Sequence, residues 1–224
     1  MPEPLAMFPL GSVLLPGGVL ALRLFEPRYL RFIDDVLAGG RRFGVVLIER
    51  GQEVGGGEAR SDVGCVAEIA RATPLADGTW QVLAFGSERI DVVEWLPDDP
   101  YPRALVRPFG DDENDENDQG AEHGENDRGV ADRSAANAAR RWTELLDRFR
   151  TLEALLAART GRPHDPLELS SEPAAVTFEI ANALPINPYD KQRLLAARTP
   201  AARRALLLDA IETIATLVQG PETH

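Results

Sequence analysis

Lysine is nearly missing from this chain. Of its 24 basic residues one is a lysine, Lys191, flanked by Asp190 and Gln192. A nucleotide-binding P-loop needs Gly-Lys followed by Ser or Thr, because the lysine reaches the terminal phosphates, so no P-loop exists here. A Ser–Lys hydrolytic pair or a Schiff-base lysine would have to use that same residue. Cysteine is as scarce: Cys65 alone excludes an internal disulfide framework and a multi-thiolate zinc site. The three histidines are His123, His164 and His224. The first lies in an acidic run and the last ends the chain. His164 sits in Arg162-Pro163-His164-Asp165-Pro166, read either as a surface-loop histidine or as an imidazole whose tautomer Asp165 fixes. Neither Gly-x-Ser-x-Gly nor His-Glu-x-x-His occurs, which removes the familiar serine-elbow and zincin patterns.

A clean membrane span is also wanting. Residues 4–22 carry no charge over 19 positions, nominally enough to cross a bilayer. Pro4, Pro9 and Pro16 and Gly11, Gly17 and Gly18 interrupt the run, and a lipid-exposed helix tolerates that badly. No basic region precedes it, unlike a signal peptide. It reads instead as two short strands joined by a Leu15-Pro16-Gly17-Gly18 turn, and the expected location is the cytoplasm.

What is present is acid. The 224 residues carry 36 Asp and Glu for a formal charge of −12, which repels phosphate backbones and speaks against nucleic acid as a partner. Residues 111–132 hold ten acidic residues against Arg128, so this stretch supplies −9 and leaves −3 for the rest. With Val130 its one large aliphatic residue, burial cannot offset its ordering entropy, and a disordered spacer is expected. Asp115-x-Asn117-x-Gln119-Gly120 imitates the start of a calcium loop, but Asn126 stands where the bidentate Glu is required. No metal or cofactor is expected.

The pattern between residues 5 and 109 is mostly β. Residues 19–25, 43–48, 63–72, 79–85, 90–96 and 103–109 read as strands, and Asp77-Gly78 marks a hairpin. One helix interrupts them: Glu26-Pro27 opens it, Tyr29, Leu30, Ile33, Val36 and Leu37 form its stripe, and Gly39-Gly40 stops it. From residue 134 the chain turns helical, with Trp142, Leu145, Leu146, Phe149, Leu152, Leu155 and Leu156 on one stripe. Residues 172–184 and 188–197 follow, and then a helix capped by Thr199 ahead of Pro200. The expected fold class is therefore α+β. A twisted, barrel-like β domain occupies residues 1–110, the acidic insertion 111–132, and a helical bundle 133–220.

Arg23, Arg28, Arg41, Arg42, Arg71, Arg89, Arg103 and Arg107 scatter guanidinium groups over the β part, near Trp80, Trp95 and Tyr101. Such groups stack on bases or peptide side chains, or else the aromatics are core and the arginines solvated edges. Trp80 reads as core; Trp95 and Tyr101, beside Pro97-Asp98-Asp99-Pro100, fit both readings.

Phe8-Pro9-Leu10-Gly11-Ser12-Val13-Leu14-Leu15-Pro16-Gly17-Gly18 followed by Leu24-Phe25-Glu26-Pro27-Arg28-Tyr29 resembles the start of the N-terminal, substrate-binding domain of Lon proteases. Phe43-Gly44-Val45-Val46-Leu47-Ile48, Val63-Gly64-Cys65-Val66-Ala67, Asp77-Gly78-Thr79-Trp80, Gly86-Ser87-Glu88-Arg89-Ile90 and Asp99-Pro100-Tyr101-Pro102-Arg103-Ala104 continue the likeness in order. Leu184-Pro185 and Lys191-Gln192-Arg193-Leu194-Leu195 resemble the family's stand-alone members. The resemblance spans residues 4–109 and, more loosely, 134–218. It implies a PUA-like β pseudo-barrel followed by a helical bundle, with the ATPase and peptidase modules of a full Lon protease lacking. The motif Phe25-Glu26-Pro27-Arg28-Tyr29 has a structural reading, in which Glu26 caps the helix and pairs with Arg28 while Tyr29 begins the apolar stripe.

The resemblance implies a non-enzymatic module that recognises exposed or unfolded polypeptide segments, with a separate protease or chaperone as a further expected partner. An unpaired strand edge, or an apolar groove between barrel and bundle, would take an extended chain. Arg89, Trp95, Tyr101 and Arg103 are the expected lining. The rival expectations are RNA binding by analogy with PUA domains, a scaffold for one folded protein partner, and an enzyme using the carboxylates of Glu26, Asp34 and Asp35.

Overall fold

Six strands and five helices follow one another in the computed structural model, which describes residues 1–50, 59–112, 127–161 and 165–220. The strands are β1 (Glu3–Leu10), β2 (Val19–Leu24), β3 (Arg42–Arg50), β4 (Ala59–Pro74), β5 (Trp80–Leu96) and β6 (Arg103–Pro108). The helices are α1 (Pro27–Ala38), α2 (Asp127–Thr160), α3 (Pro173–Ala183), α4 (Pro188–Ala196) and α5 (Pro200–Gln219). The uncharged run 4–22 thus becomes β1, a turn and the start of β2. Among the described residues no helix is long and apolar enough to cross a membrane. Residues 113–126, which hold most of the expected spacer and the calcium-like loop with His123, lie outside the described residues, as do His164 and His224.

The sheet runs β2-β5-β4-β3-β1-β6, and β6 returns to pair with β5 as well as β1. β1 is parallel to β3, and the other pairings are antiparallel. β1, β3, β4, the second half of β5 and β6 therefore form a closed ring, the expected pseudo-barrel. Each of these five strands contributes to its filling: Met7, Val46, Val66, Ile90 with Val92, and Ala104 with Val106. One residue along, Phe8, Val45, Cys65 and Ala67 face the opposite way, into a larger core shared with the helices. This is the period-two alternation of a strand whose two faces are both covered. Cys65 is wholly buried, and that burial pushes its thiol up to about 12, so it is no nucleophile.

Two expected strands, 79–85 and 90–96, are one 17-residue strand. Gly86 does not break it. A Cβ there would press on the Leu15 carbonyl, with Cys65 Sγ at 3.1 Å, and the absent side chain lets the β1–β2 turn close onto β5. Gly17 N–H donates to Gly86 O at 2.8 Å and Gly86 N–H to Gly18 O at 2.9 Å. Gly44 serves the barrel interior similarly, since its Cβ would lie 2.5 Å from Met7 Sδ.

α1 opens as expected, with Pro27 in its first turn and Glu26 at the cap position. The Glu26 side chain makes no capping bond, however; it accepts from Arg28 Nε at 3.0 Å. Tyr29 is buried against Phe8 at 4.4 Å between ring centroids, and Phe32 links Phe8, Phe43 and Tyr101 in edge-on contacts of 5.2–5.5 Å. In the bundle, α5 packs on α2, α3 and α4. Thr199 caps it by accepting from Ala202 N–H at 3.1 Å.

The two halves meet at Asp111, the residue at which the sequence pattern changes. Its carboxylate accepts from Arg89 of β5 and from Arg203 of α5, the latter at 2.7 Å through Nη2. Arg203 is 0% exposed; its Nε donates to Thr177 Oγ1 at 3.0 Å, and its guanidinium lies 4.8 Å from the Phe178 ring centre. Asp111 and Asp112 therefore belong to the folded unit, and Asp112 N–H donates to Arg198 O at 2.8 Å. α2 also begins at Asp127, inside the stretch expected to be spacer. Burial alone raises the Asp111 carboxyl, but the hydrogen bonds and charge of Arg203, then of Arg89, outweigh it and hold the group below its ordinary 3.8. A carboxylate depressed in this way contributes stability that is complete above its unfolded pKa and is lost as pH falls through the folded one.

Two stability measurements check this account. Gly86→Ala is expected to cost roughly 1–3 kcal/mol in urea unfolding, the range for overpacking an occupied site. Asp111→Asn is expected to cost about 2–4 kcal/mol at pH 7, because two buried guanidinium groups lose their counter-charge. The gap between that variant and the parent narrows as pH falls below about 4, where the unfolded carboxyl protonates; a gap constant down to pH 2 would contradict the assignment.

Candidate functional site

The four residues expected to line a peptide site do not share a surface. Arg89 is buried, donating through Nη1 to Leu195 O at 2.9 Å and Ala197 O at 2.7 Å, with its guanidinium 4.7 Å from the Phe109 ring centre. Tyr101 is buried against Phe32, and its hydroxyl donates to Asp35 Oδ2 at 3.0 Å; burial first, and then Asp35, raises its pKa. Both are architectural, and the expectation that they face a ligand is corrected: their polar atoms are already engaged inside the protein. Trp95 is half-buried beside the barrel filling, and the Arg60 guanidinium covers its ring at 4.5 Å while pairing with Asp98 at 2.8 Å. Arg103 is exposed on β6.

Where a groove between barrel and bundle was expected, described side chains from both sides pack against one another. One apolar core runs continuously from Phe8 in β1 to Ile214 in α5. Polar bridges cross the same seam: Asn182 Nδ2 donates to Pro16 O at 2.9 Å, and Gln192 Nε2 to Val63 O at 2.9 Å. The Lys191-Gln192 motif thus seats α4 on β4. In α1, Asp35 is engaged by Tyr101 and Arg31, and Glu26 by Arg28.

Uncovered apolar surface lies on the three-stranded extension of β2, the first half of β5 and the end of β4. Inward, Leu24, Val82 and Ala84 enter the main core, with Leu20 and Leu22 packed against it. Outward, the register sets Val19 beside Phe85, Ala21 beside Leu83 and Arg23 beside Gln81. The next row, on β4, is Glu68, Arg71 and Thr73. Val19 is 65% exposed, Phe85 42% and Leu83 36%. Phe25, first of the helix-entry motif, follows directly after β2 and is 64% exposed.

Ion pairs border this strip at both ends. Arg23 pairs with Asp77 at 2.7 Å, and Arg42 pairs with Glu88 and stands 4.0 Å from Glu68. Its centre carries no charge, no nucleophile and no titratable group. What such a surface can do is bind apolar side chains. Among the described residues no cluster of three or more His, Cys, Asp or Glu is placed to hold a metal.

Sequence reading missed the strip for a definite reason. Val19-Leu20-Ala21-Leu22 and Val82-Leu83-Ala84-Phe85 are apolar at every position, the signature of strands covered on both faces. Among the described residues, only the absence of an element over Val19, Leu83 and Phe85 separates them from core. The available signal is apolar residues at outward positions of a strand ending in a polar Asp77-Gly78 hairpin.

Comparison with known proteins agrees with this architecture. The family described as the ATP-dependent protease La (LON) substrate-binding domain matches residues 4–213. The Lon protease of Heliobacterium modesticaldum is 24% identical over 211 residues, 93% of this chain and 24% of that protein. Lon protease 1 of Herpetosiphon aurantiacus is 31% identical over 115 residues, 50% of this chain and 14% of that one. The chain thus spans a quarter or less of the length of these relatives. Among solved structures, a Lon N-terminal domain protein from Xanthomonas campestris superposes with a TM-score of 0.60 at 26% identity, covering 92% of this chain and 98% of that one. The N-terminal domain of a Mycobacterium avium complex Lon protease gives 0.55 at 16%, covering 94% and 98%, and shares the fold.

If the strip is the main exposed apolar surface, a solvatochromic dye reports it. Leu83→Ser with Phe85→Ser is expected to reduce dye fluorescence at least twofold. The urea midpoint should shift by less than about 1 kcal/mol equivalent, as for other solvent-facing positions.

Proposed function

The chain belongs to the LON substrate-binding domain family, and on that premise we propose that it recognises exposed, unfolded polypeptide segments through the β2–β5 strip. The observation that supports this reading is the exposed apolar row Val19, Ala21, Leu83 and Phe85, gathered side by side on one face of the sheet. Folded proteins hide such side chains and unfolded ones expose them, so an apolar, uncharged surface selects for loss of structure rather than for a sequence.

Magnitudes make the binding weak. Covering Val19, Leu83 and Phe85, each already part-shielded, gains about 1 kcal/mol apiece, and association costs at least ~4 kcal/mol in lost freedom. Transient contacts are what a recognition step ahead of a separate protease or chaperone requires. Polypeptide is favoured over RNA because many candidate phosphate ligands are already engaged: Arg23 by Asp77, Arg28 by Glu26, Arg42 by Glu88 and Arg107 by Asp91. The reading is of a non-catalytic module acting in the cytoplasm. The family match covers the substrate-binding domain, and no ATPase or peptidase module is matched in this chain.

Fluorescence anisotropy of a labelled, permanently unfolded polypeptide tests the proposal. Saturable binding is expected, weakened at least fivefold by Leu83→Ser with Phe85→Ser and nearly unchanged between low and moderate salt. Binding that ignores those substitutions, or that collapses with salt in the manner of phosphate contacts, would refute it.

A further inference from the structure

Among the described strands β2 is the one with a single neighbour along its whole length. Gly86 N–H donates to Gly18 O. In an antiparallel pair bonded and non-bonded residues alternate, so the bonded pairs continue at Leu20 with Ala84, Leu22 with Val82 and Leu24 with Trp80. The N–H and C=O groups of Val19, Ala21 and Arg23 consequently point away from β5. None of them takes a hydrogen bond from any described residue. The usual protections of an open edge, a proline, an inward charge or a bulge, are missing from Val19–Leu24, and Arg23 is drawn aside by Asp77.

Accepting the polypeptide reading, on which this inference rests, we propose that the client adds to β2 as a further strand. Its main chain takes up the outward groups of Val19, Ala21 and Arg23. Its side chains then alternate between the exposed strip beside Val19 and Ala21 and the half-buried row beside Leu20 and Leu22. Both rows are apolar, so the preferred segment is a short run apolar on both faces, the composition of a buried central strand. Such a run is commonly buried in the folded state and free in the unfolded one. Main-chain pairing also supplies the affinity that side-chain burial on the strip lacks. An amphipathic helix fits neither the edge nor the period.

The test uses a labelled ten-residue Val/Thr peptide with charged ends, and the same peptide N-methylated at two adjacent central residues. Adjacent methyl groups remove one edge-facing donor in either register. The methylated peptide is expected to bind at least about tenfold more weakly, as loss of a main-chain bond requires. On the protein side, Ala21→Pro removes an outward N–H that no strand uses, the setting in which edge proline is tolerated. It is expected to keep the parent's circular dichroism and lose binding to a similar extent.

Equal binding of both peptides, with Leu83→Ser still impaired, would overturn strand addition and leave the strip reading standing. Indifference to all three changes would overturn both. A concentration-dependent dimer abolished by Ala21→Pro, with no effect of N-methylation, would make the occupant a second copy of this chain and overturn the proposal.

Discussion

The structure depends on β6 pairing with both β1 and β5. That double pairing closes the ring, and closure decides the rest. It makes an interior that must be filled from all five strands, so Met7, Val46, Val66, Ile90, Val92, Ala104 and Val106 converge there. It forces β5 to run 17 residues, half in the ring and half outside, with Gly86 admitting the Leu15 carbonyl at the crossing point. It also satisfies the strands it encloses, because a closed sheet has no edge. β2, attached outside the ring, keeps one.

Charge holds the second half of the chain against the first. Burying two guanidinium groups costs far more than burying apolar atoms, and the structure offsets this with the Asp111 carboxylate, three carbonyl bonds, the Thr177 hydroxyl and the Phe109 and Phe178 rings. Arginine suits the position because its planar fork reaches several acceptors at once and stacks on rings, which a lysine cannot do. Away from that seam, on the outer sheet, exposed apolar side chains lie beside a strand with one neighbour among the described residues.

Much of the fold was legible in the sequence because its causes are local. Asp77-Gly78 turns a hairpin, Pro27 and Pro200 open helices, Thr199 caps one, Gly39-Gly40 ends another, and strand alternation needs only near neighbours. The β barrel, the early helix and the helical bundle followed from these. The helix-entry motif was half legible: Pro27 and Tyr29 do what the pattern implies, while Glu26 pairs with Arg28 instead of capping.

The candidate site was legible in kind and not in place. Composition alone excluded a P-loop, a disulfide framework and a multi-thiolate zinc site, and the order of motifs pointed to a family. Tertiary structure decided which of these residues are exposed. Arg89 and Tyr101 look like surface recognition groups in a one-dimensional reading, yet Leu195 and Ala197, more than a hundred residues away, bury the first, and α1 buries the second. Val19, Leu83 and Phe85 look like core, yet no described element covers them. Periodicity reports that a side chain is apolar and which side of a strand it occupies. Whether that side meets another element depends on contacts between distant segments, which local sequence does not encode.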